Sequence, residues 1–273
     1  MVTTRRIGDG EHLELLSCEP ATYRSRTPLL FVHGAFSGAW VWSEFFLPWF
    51  AAQGFSAHAV SLRGHGDSAG HDIIDWLSIQ DYVDDVAEAA EELGGAPALI
   101  GHSMGGFVVQ KYLESHAAPA AVLMCSVPPQ GLVAAQFSML FEKPGLMIEI
   151  NRLLGGGNVA LDVLREALFA QEVSDELLRR CYRLMQPESQ RAIWDMSMFS
   201  LPRLSAMHRP PLLVLGAGKD VLIPPFLVES TARAYDVPSR IFAGFGHGMM
   251  LERDWPLVAE TLRDWLTGVL ADA

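Results

Sequence analysis

Residues 98–106 read Ala98-Leu99-Ile100-Gly101-His102-Ser103-Met104-Gly105-Gly106, and a helical pattern follows over residues 107–113. A Gly-x-Ser-x-Gly string alone carries little information, but this one lies between an apolar strand pattern and a helix. A sharp strand-to-helix turn of this kind strains the serine backbone and requires small residues two positions before and after it. We therefore expect Ser103 to project above the carboxyl edge of a sheet, where the N-terminus of the next helix favours negative charge.

Short apolar strand patterns alternate with longer helical patterns along most of the chain. The strands are predicted at 28–32, 56–60, 98–100, 121–124, 211–215 and 240–242, and the helices at 40–53, 79–93, 107–113, 226–235 and 255–270. Such alternation implies parallel strands joined by right-handed crossovers. The sequence thus predicts an α/β fold with a mostly parallel central sheet and helices on both faces.

Residues 128–208 interrupt this alternation, because they contain helical patterns and no convincing strand. We expect a helical cap here, inserted before the last strands, while residues 1–127 and 209–273 form the core. The segment is rich in methionine and aromatic residues, which either pack the cap onto the core or line an apolar pocket beneath it. In the second interpretation, the expected substrate contacts from the cap are Met139, Met147, Trp194 and Met198.

A base and an acid follow later in the chain. A serine hydroxyl is a weak nucleophile at neutral pH and needs a base, which in turn needs an orienting acid. Asp220 closes the loop Gly216-Ala217-Gly218-Lys219-Asp220 after one strand, and His247 lies in Gly244-Phe245-Gly246-His247-Gly248 after the next. Because loops at the carboxyl ends of parallel strands meet at one edge of the sheet, we expect both side chains to approach Ser103.

Together these segments resemble the α/β-hydrolase family over nearly the whole chain, with a carboxylesterase-like serine nucleophile and a helical cap. His33-Gly34 after an early strand and Arg63-Gly64-His65-Gly66-Asp67-Ser68 match the family as well. The resemblance implies the α/β-hydrolase fold and a triad of Ser103, Asp220 and His247. It also implies an oxyanion hole made by the N–H of Met104 and that of Phe36 or Ala35. Phe36 is preferred and is also expected to contact substrate.

The composition restricts the partners. A formal net charge of −12 argues against nucleic acids and anionic membrane surfaces. No apolar run approaches the roughly 18 residues that span a bilayer, and no signal peptide is recognisable at the start. Three widely spaced cysteines, Cys18, Cys125 and Cys181, are typical of free thiols in a reducing compartment. A cytoplasmic protein without nucleic-acid or membrane partners is expected, and its oligomeric state stays open.

Neither a metal nor a cofactor is expected. His65, Asp67, His71 and Asp72 form a cluster of potential metal ligands. The first half of this cluster, however, resembles a loop of the family that follows its fourth strand. The segment Gly216-Ala217-Gly218-Lys219 lacks the spacing of a phosphate-binding loop. We therefore expect no metal ligands and no bound nucleotide.

The preferred function is hydrolysis of a small or medium apolar carboxylic ester through an acyl-enzyme intermediate. Cleavage of carbon–carbon bonds is an alternative on the same triad. A hydroxynitrile lyase is another, because residues 33–42 are similar to the start of such lyases and of plant methylesterases. No lysine follows Asp220 or surrounds His247, which counts against the lyase. From another class, a receptor-like protein that binds a ligand and turns it over very slowly would also use an apolar pocket.

Overall fold

Eight strands form one sheet in the computed structural model, which describes residues 1–8, 12–155 and 157–271. The strands are β1 (Thr3–Ile7), β2 (Leu13–Cys18), β3 (Leu29–Val32), β4 (Ala57–Ser61), β5 (Ala98–His102), β6 (Ala121–Met124), β7 (Leu212–Ala217) and β8 (Ser239–Phe242). Their order across the sheet is β1-β2-β4-β3-β5-β6-β7-β8. The pairs β1–β2 and β2–β4 are antiparallel, and all pairs from β4 to β8 are parallel.

Helices cover both faces of the sheet, so the predicted α/β architecture is confirmed. One face carries α1 (Trp40–Ser43), α2 (Phe46–Ala52) and α11 (Trp255–Val269), and the other carries α3 (Ile79–Glu92), α4 (Met104–Tyr112) and α10 (Pro225–Tyr235). Successive strand residues point to opposite faces, so Phe31 packs in one core and Leu30 and Val32 in the other. Fully burying one such side chain stabilises the fold by about 1.5–3 kcal/mol.

The helix predicted over residues 40–53 is two helices, and the prediction of one continuous element is wrong. α1 ends where Glu44 follows it, and α2 begins at Phe46. Pro48 provides the physical reason, since its ring would clash with the carbonyl group of Glu44 in an unbroken helix. Trp42, Phe46, Leu47 and Phe50 of these helices are fully buried, whereas Trp40 and Trp49 are partly buried.

Residues 128–208 lie between β6 and β7 and are called the helical insertion below. Their described part contains α5 (Val133–Glu142), α6 (Pro144–Leu154), α7 (Leu161–Leu168), α8 (Asp175–Leu184) and α9 (Gln190–Trp194). A π-helical turn over Asp195–Phe199 continues α9 directly. No described helix has the length and apolar character that crossing a bilayer requires.

Candidate active site

Ser103 occupies the turn between β5 and α4, directly before the first residue of the helix. Its backbone angles are φ 54° and ψ −118°, and such a positive φ is strained for a residue that carries a Cβ atom. This conformation lifts the side chain out of the sheet at its carboxyl edge. The turn therefore has the geometry that the sequence predicts for an exposed nucleophile.

Glycines around Ser103 allow the strained turn to pack. A Cβ atom on Gly105 would lie 2.4 Å from the carbonyl oxygens of Val32 and His33, at the end of β3. A Cβ atom on Gly101 would lie 2.4 Å from the carbonyl oxygen of Gly105. Any side chain at either position would push the turn away from the sheet. The glycine spacing that identified the motif is thus required by the backbone contacts.

His247 and Asp220 meet at the same edge through a short hydrogen bond. His247 Nδ1 donates to Asp220 Oδ2 over 2.7 Å, and both residues are buried. The other carboxylate oxygen of Asp220 accepts from the N–H groups of Leu222 and Ile223, each at 2.8 Å. The backbone thereby fixes the carboxylate, the carboxylate fixes the imidazole ring, and Nε2 of His247 is left to act as a base.

Ser103 and His247 line one cavity. The hydrogen bonds of the described residues do not include one between the Ser103 hydroxyl and His247 Nε2. Such bonds are often long in a ligand-free site and tighten when substrate binds, so this geometry is compatible with a base poised for the hydroxyl. The three residues that the sequence predicts as a triad are brought together at one site.

The N–H of Phe36 is not available to an oxyanion. It donates to a carboxylate oxygen of Glu188 over 3.2 Å, and Phe36 has a φ of 61°. Within the described part of the chain, the N–H groups of Ala35 and Met104 have no protein acceptor, and both residues line the cavity. The preference for Phe36 as second donor is therefore contradicted by its own hydrogen bond. Ala35 and Met104 remain as candidates, because no described residue occupies their N–H groups at the cavity.

An apolar cavity of about 240 Å³ opens from Ser103 beneath the helical insertion. Phe36 lines it, as do Met139 and Met147, which were expected to contact substrate. The insertion and the core share the rest of the lining about equally, with aliphatic side chains of α6 and α7 on one side and core residues such as Ile223 and Met250 on the other. Such a lining favours an apolar ligand and leaves orientation to the few polar groups near Ser103.

Two expected substrate contacts lie outside this lining. Trp194 and Met198 are more than half exposed, whereas Ile193 and Met196 line the cavity. Trp194 ends α9 and Met198 lies in the π-helical turn that follows it, and both side chains point away from the cavity that Ile193 and Met196 face. The expectation for Trp194 and Met198 is therefore wrong.

Other polar residues near Ser103 have structural partners. His33 Nδ1 donates to the Gly34 carbonyl oxygen at 2.8 Å, and its Nε2 accepts from the Leu62 N–H at 3.0 Å. Burial lowers the pKa of His33 to about 3, so this imidazole is neutral. His102 Nε2 donates to the His247 carbonyl oxygen at 2.9 Å. Burial and the neighbouring His247 lower the pKa of His102 well below its ordinary value.

One group of potential metal donors occurs in the described residues. Donor atoms of His102, Cys125 and His247 lie within 4.8 Å of one another. His102 Nε2 already donates to a backbone carbonyl, and His247 Nδ1 donates to Asp220. Burial, followed by the nearby Asp220, raises the pKa of the Cys125 thiol well above its ordinary value, which disfavours the thiolate that metals require. These donors fit the hydrogen-bonded site better than a metal.

Sequence reasoning missed two buried glutamates that join the helical insertion to the active-site loops. Glu188, from the insertion, accepts the Phe36 N–H of the core. Glu252, from the core, accepts the N–H groups of Gln171 in the insertion and of Gly246 beside His247, both at 3.1 Å. Burial raises the pKa of Glu252, although the backbone donors oppose this effect. The only local signal was an acidic residue directly after Met249-Met250-Leu251.

The chain is similar in sequence or in fold to proteins named as lipases and esterases. Over 240 residues the chain is 27% identical to a monoacylglycerol lipase of Mycolicibacterium smegmatis, which covers 81% of each protein. A crystal structure of a lipase candidate from Acinetobacter baumannii AYE superimposes with a TM-score of 0.81 at 17% identity, over 100% of this chain and 93% of the other. An esterase from Exiguobacterium antarcticum gives a TM-score of 0.72 at 20% identity, over 97% and 99%.

The two structural similarities lie below 25% identity and therefore speak for the fold alone. A family model, however, matches residues 29–261, which is most of the chain and includes the nucleophile turn, the Asp220 loop and the His247 loop. The chain belongs to the alpha/beta hydrolase family.

Proposed function

We propose that this protein is a serine esterase that hydrolyses apolar carboxylic esters of small to medium size. The observation that carries the proposal is the convergence of Ser103 with the hydrogen-bonded pair of His247 and Asp220 on one apolar cavity. The monoacylglycerol lipase found by comparison supports ester hydrolysis as the general reaction.

The first half of the reaction forms an acyl-enzyme. Ser103 Oγ attacks the ester carbonyl carbon while His247 Nε2 takes its proton. Asp220 holds the imidazole ring in the required tautomer and stabilises the imidazolium. The negative charge on the carbonyl oxygen is stabilised by the N–H groups of Ala35 and Met104, and His247 then returns the proton to the leaving alcohol.

Water completes the cycle. His247 removes a proton from a water molecule, whose oxygen attacks the acyl carbon. The same two N–H groups stabilise the second tetrahedral oxyanion. Its collapse breaks the bond to Ser103 Oγ, which recovers the proton from His247, and the carboxylic acid leaves.

The lining of the cavity supports an apolar acyl or alkyl chain as the part of the substrate that is recognised. Methionine and aliphatic side chains surround the space next to Ser103. Methionine adapts to ligands of different shape, which favours a range of chain lengths over one rigid substrate.

The proposal is tested with Ser103→Ala and a series of p-nitrophenyl acyl esters of increasing chain length. We expect kcat to fall by at least about 10⁴-fold, because the nucleophile is removed. Ser115→Ala is the matched control, since Ser115 is an exposed serine that lies outside the cavity lining. A fluorophosphonate probe should label the parent and the control rapidly and should not label the Ser103 variant.

Two outcomes contradict the proposal. Unchanged turnover in Ser103→Ala would exclude the serine mechanism. Rapid labelling of Ser103 combined with a single burst and no steady turnover would favour a ligand receptor instead of an enzyme.

A further inference from the structure

Glu188 is a fully enclosed carboxylate at the boundary between the helical insertion and the core, with a donor group on every side. One oxygen accepts from the Tyr82 hydroxyl and from the Ser189 N–H, each at 2.8 Å. The other accepts from the Phe36 N–H at 3.2 Å and also lies 3.2 Å from His65 Nε2. Each oxygen therefore faces two donor groups.

Glu188 and His65 form a buried ion pair. Burial alone would raise the pKa of Glu188, but His65 and the hydrogen-bond donors outweigh it and hold this pKa below its ordinary value. Burial likewise acts to lower the pKa of His65, and the facing carboxylate outweighs it, so the pKa of His65 is raised. His65 Nδ1 donates to the Arg63 carbonyl oxygen at 3.1 Å, which fixes the ring. The carboxylate is therefore charged and a strong acceptor.

The same segment of the insertion holds Phe36 from its other side. The N–H of Gln186 donates to the Phe36 carbonyl oxygen at 3.2 Å. The Gln186 side chain is itself fixed, since it accepts from the Gly66 N–H at 2.5 Å and donates to the Gly66 carbonyl oxygen at 3.3 Å. Both backbone polar groups of Phe36 are thus bound by residues 186–188, about 150 positions away in the chain.

Phe36 directly follows Ala35, whose N–H is the candidate second oxyanion donor. The loop of residues 34–37, called the oxyanion loop below, packs closely on the nucleophile. A Cβ atom on Gly34 would lie 3.0 Å from Ser103 Cβ. Phe36 also has a φ of 61°, which a non-glycine residue keeps only when its surroundings enforce it. Its hydrogen bonds to Glu188 and Gln186 are such surroundings.

We propose that Glu188 is a positioning residue of the helical insertion that fixes the oxyanion loop, so that the Ala35 N–H faces the carbonyl oxygen of the substrate. The inference rests on the proposed esterase function. It makes the insertion more than a wall of the cavity, because the insertion also completes the oxyanion hole. A residue that merely anchors the insertion would affect stability and substrate binding instead.

Glu188→Gln tests this with the smallest change of shape. An amide has one acceptor oxygen, so its NH₂ group must face the two donors that one carboxylate oxygen now serves. His65 can lose its proton and accept from the NH₂ group, whereas the Phe36 N–H cannot, so the Phe36 hydrogen bond is the one expected to be lost. We expect kcat to fall by about 10²-fold with KM within threefold, the effect of a lost oxyanion donor.

Two ligands separate positioning from anchoring. An alkyl trifluoromethyl ketone forms a tetrahedral oxyanion on Ser103, and its affinity should fall by the same factor as kcat. The methyl ketone of equal chain length forms no stable adduct, and its affinity should stay within threefold. Glu166→Gln is the matched control, since Glu166 is an exposed insertion carboxylate paired with Lys143 at 2.6 Å, and it should change none of these values.

A measurement on the parent protein covers the case in which Glu188→Gln does not fold. On formation of the trifluoromethyl ketone adduct, the backbone N–H resonances of Ala35 and Met104 should shift strongly, and that of Phe36 should not. A shift of Phe36 in place of Ala35 would overturn the inference. So would a folded Glu188→Gln variant whose kcat and adduct affinity stay within twofold of the parent. Failure of the parent to hydrolyse any ester would instead overturn the proposed function.

Discussion

The core and the helical insertion contribute to the site in different ways. In the core, Ser103 is fixed by backbone hydrogen bonds at the end of β5, and the buried His247 and Asp220 are fixed by their 2.7 Å hydrogen bond. The insertion packs internally through a small apolar cluster around Met139 and Leu146 and leaves residues such as Phe141 exposed. The difference teaches that the groups of the candidate triad are all held by the core, whereas the wall of the cavity is shared between the core and the insertion. Hydrogen bonds to Glu188 and Glu252 join the two regions.

The largest expected effect is on the core. Asp220→Asn should lower kcat by about 10³- to 10⁴-fold, because an amide no longer holds the His247 tautomer in which Nε2 accepts a proton. Hydrogen bonds from the N–H groups of Leu222 and Ile223 can persist, so the loop should stay in place. Steady-state kinetics with p-nitrophenyl esters measures the effect, and the surface variant Asp84→Asn is the control. A decrease in kcat of less than tenfold would show that Asp220 is not the acid that orients His247.

A smaller effect is expected on the pH dependence of the unfolding free energy, and it should come from a core residue, His58. His58 on β4 hydrogen-bonds to the hydroxyls of Ser17 and Ser56 at 2.8 and 2.7 Å, and burial lowers its pKa from 6.5 to about 4. The unfolded chain therefore takes up this proton first as the pH falls. The contribution of His58 to the unfolding free energy is complete above pH 6.5 and is lost towards pH 4, on the order of 3 kcal/mol.

Urea denaturation of the parent and of His58→Gln at several pH values between these limits measures this contribution. Other groups titrate equally in both proteins, so the difference in pH dependence isolates His58. The unfolding free energy of His58→Gln should depend less on pH than that of the parent. Equal slopes in the two proteins would show that His58 is not held neutral by the fold. Apart from His208, the insertion has no histidine, so we expect its helices to add little to this dependence.

The smallest effect is expected for selectivity, and it should belong to the insertion. Met139→Ala enlarges the apolar cavity, so the ratio of kcat/KM between long and short acyl esters should rise by about tenfold. The value of kcat for the best substrate should change little. Met198→Ala, an exposed methionine of the same insertion, is the matched control and should leave the ratio within twofold. An equal change of this kcat/KM ratio in both variants would show that the cavity lining does not determine the chain-length preference.

The parts of the fold that could be predicted are those with a local cause. The nucleophile turn depends on neighbouring glycines and on an apolar strand beside a helix, all within residues 98–113. β1 could not be predicted, because four of its five residues are exposed and leave no apolar pattern. The candidate triad could be predicted from the order of the loops at one edge of the sheet. The structure then places Ser103 and His247 at one cavity and Asp220 in a hydrogen bond with His247.

The sequence narrowed the candidate second oxyanion donor to Ala35 or Phe36, but the choice between them could not be made because it depends on a distant residue. Nothing near Ala35 or Phe36 in the sequence indicates that a glutamate 152 positions later takes up one of the two N–H groups. The prediction of Trp194 and Met198 as substrate contacts failed for a different reason. It rested on the methionine and aromatic content of the insertion, and composition does not show which side of an element faces the cavity.

The sulfur content of the cavity has a consequence for exposure to oxidants. Thioether groups of Met139, Met147, Met185, Met196 and Met250 form much of the wall. Oxidation to the sulfoxide turns a flexible apolar side chain into a polar and chiral one. Ser103, His247 and Asp220 contain no sulfur. Peroxide would therefore alter which esters are accepted while the reacting groups stay intact, and reduction of the sulfoxides would restore the original preference.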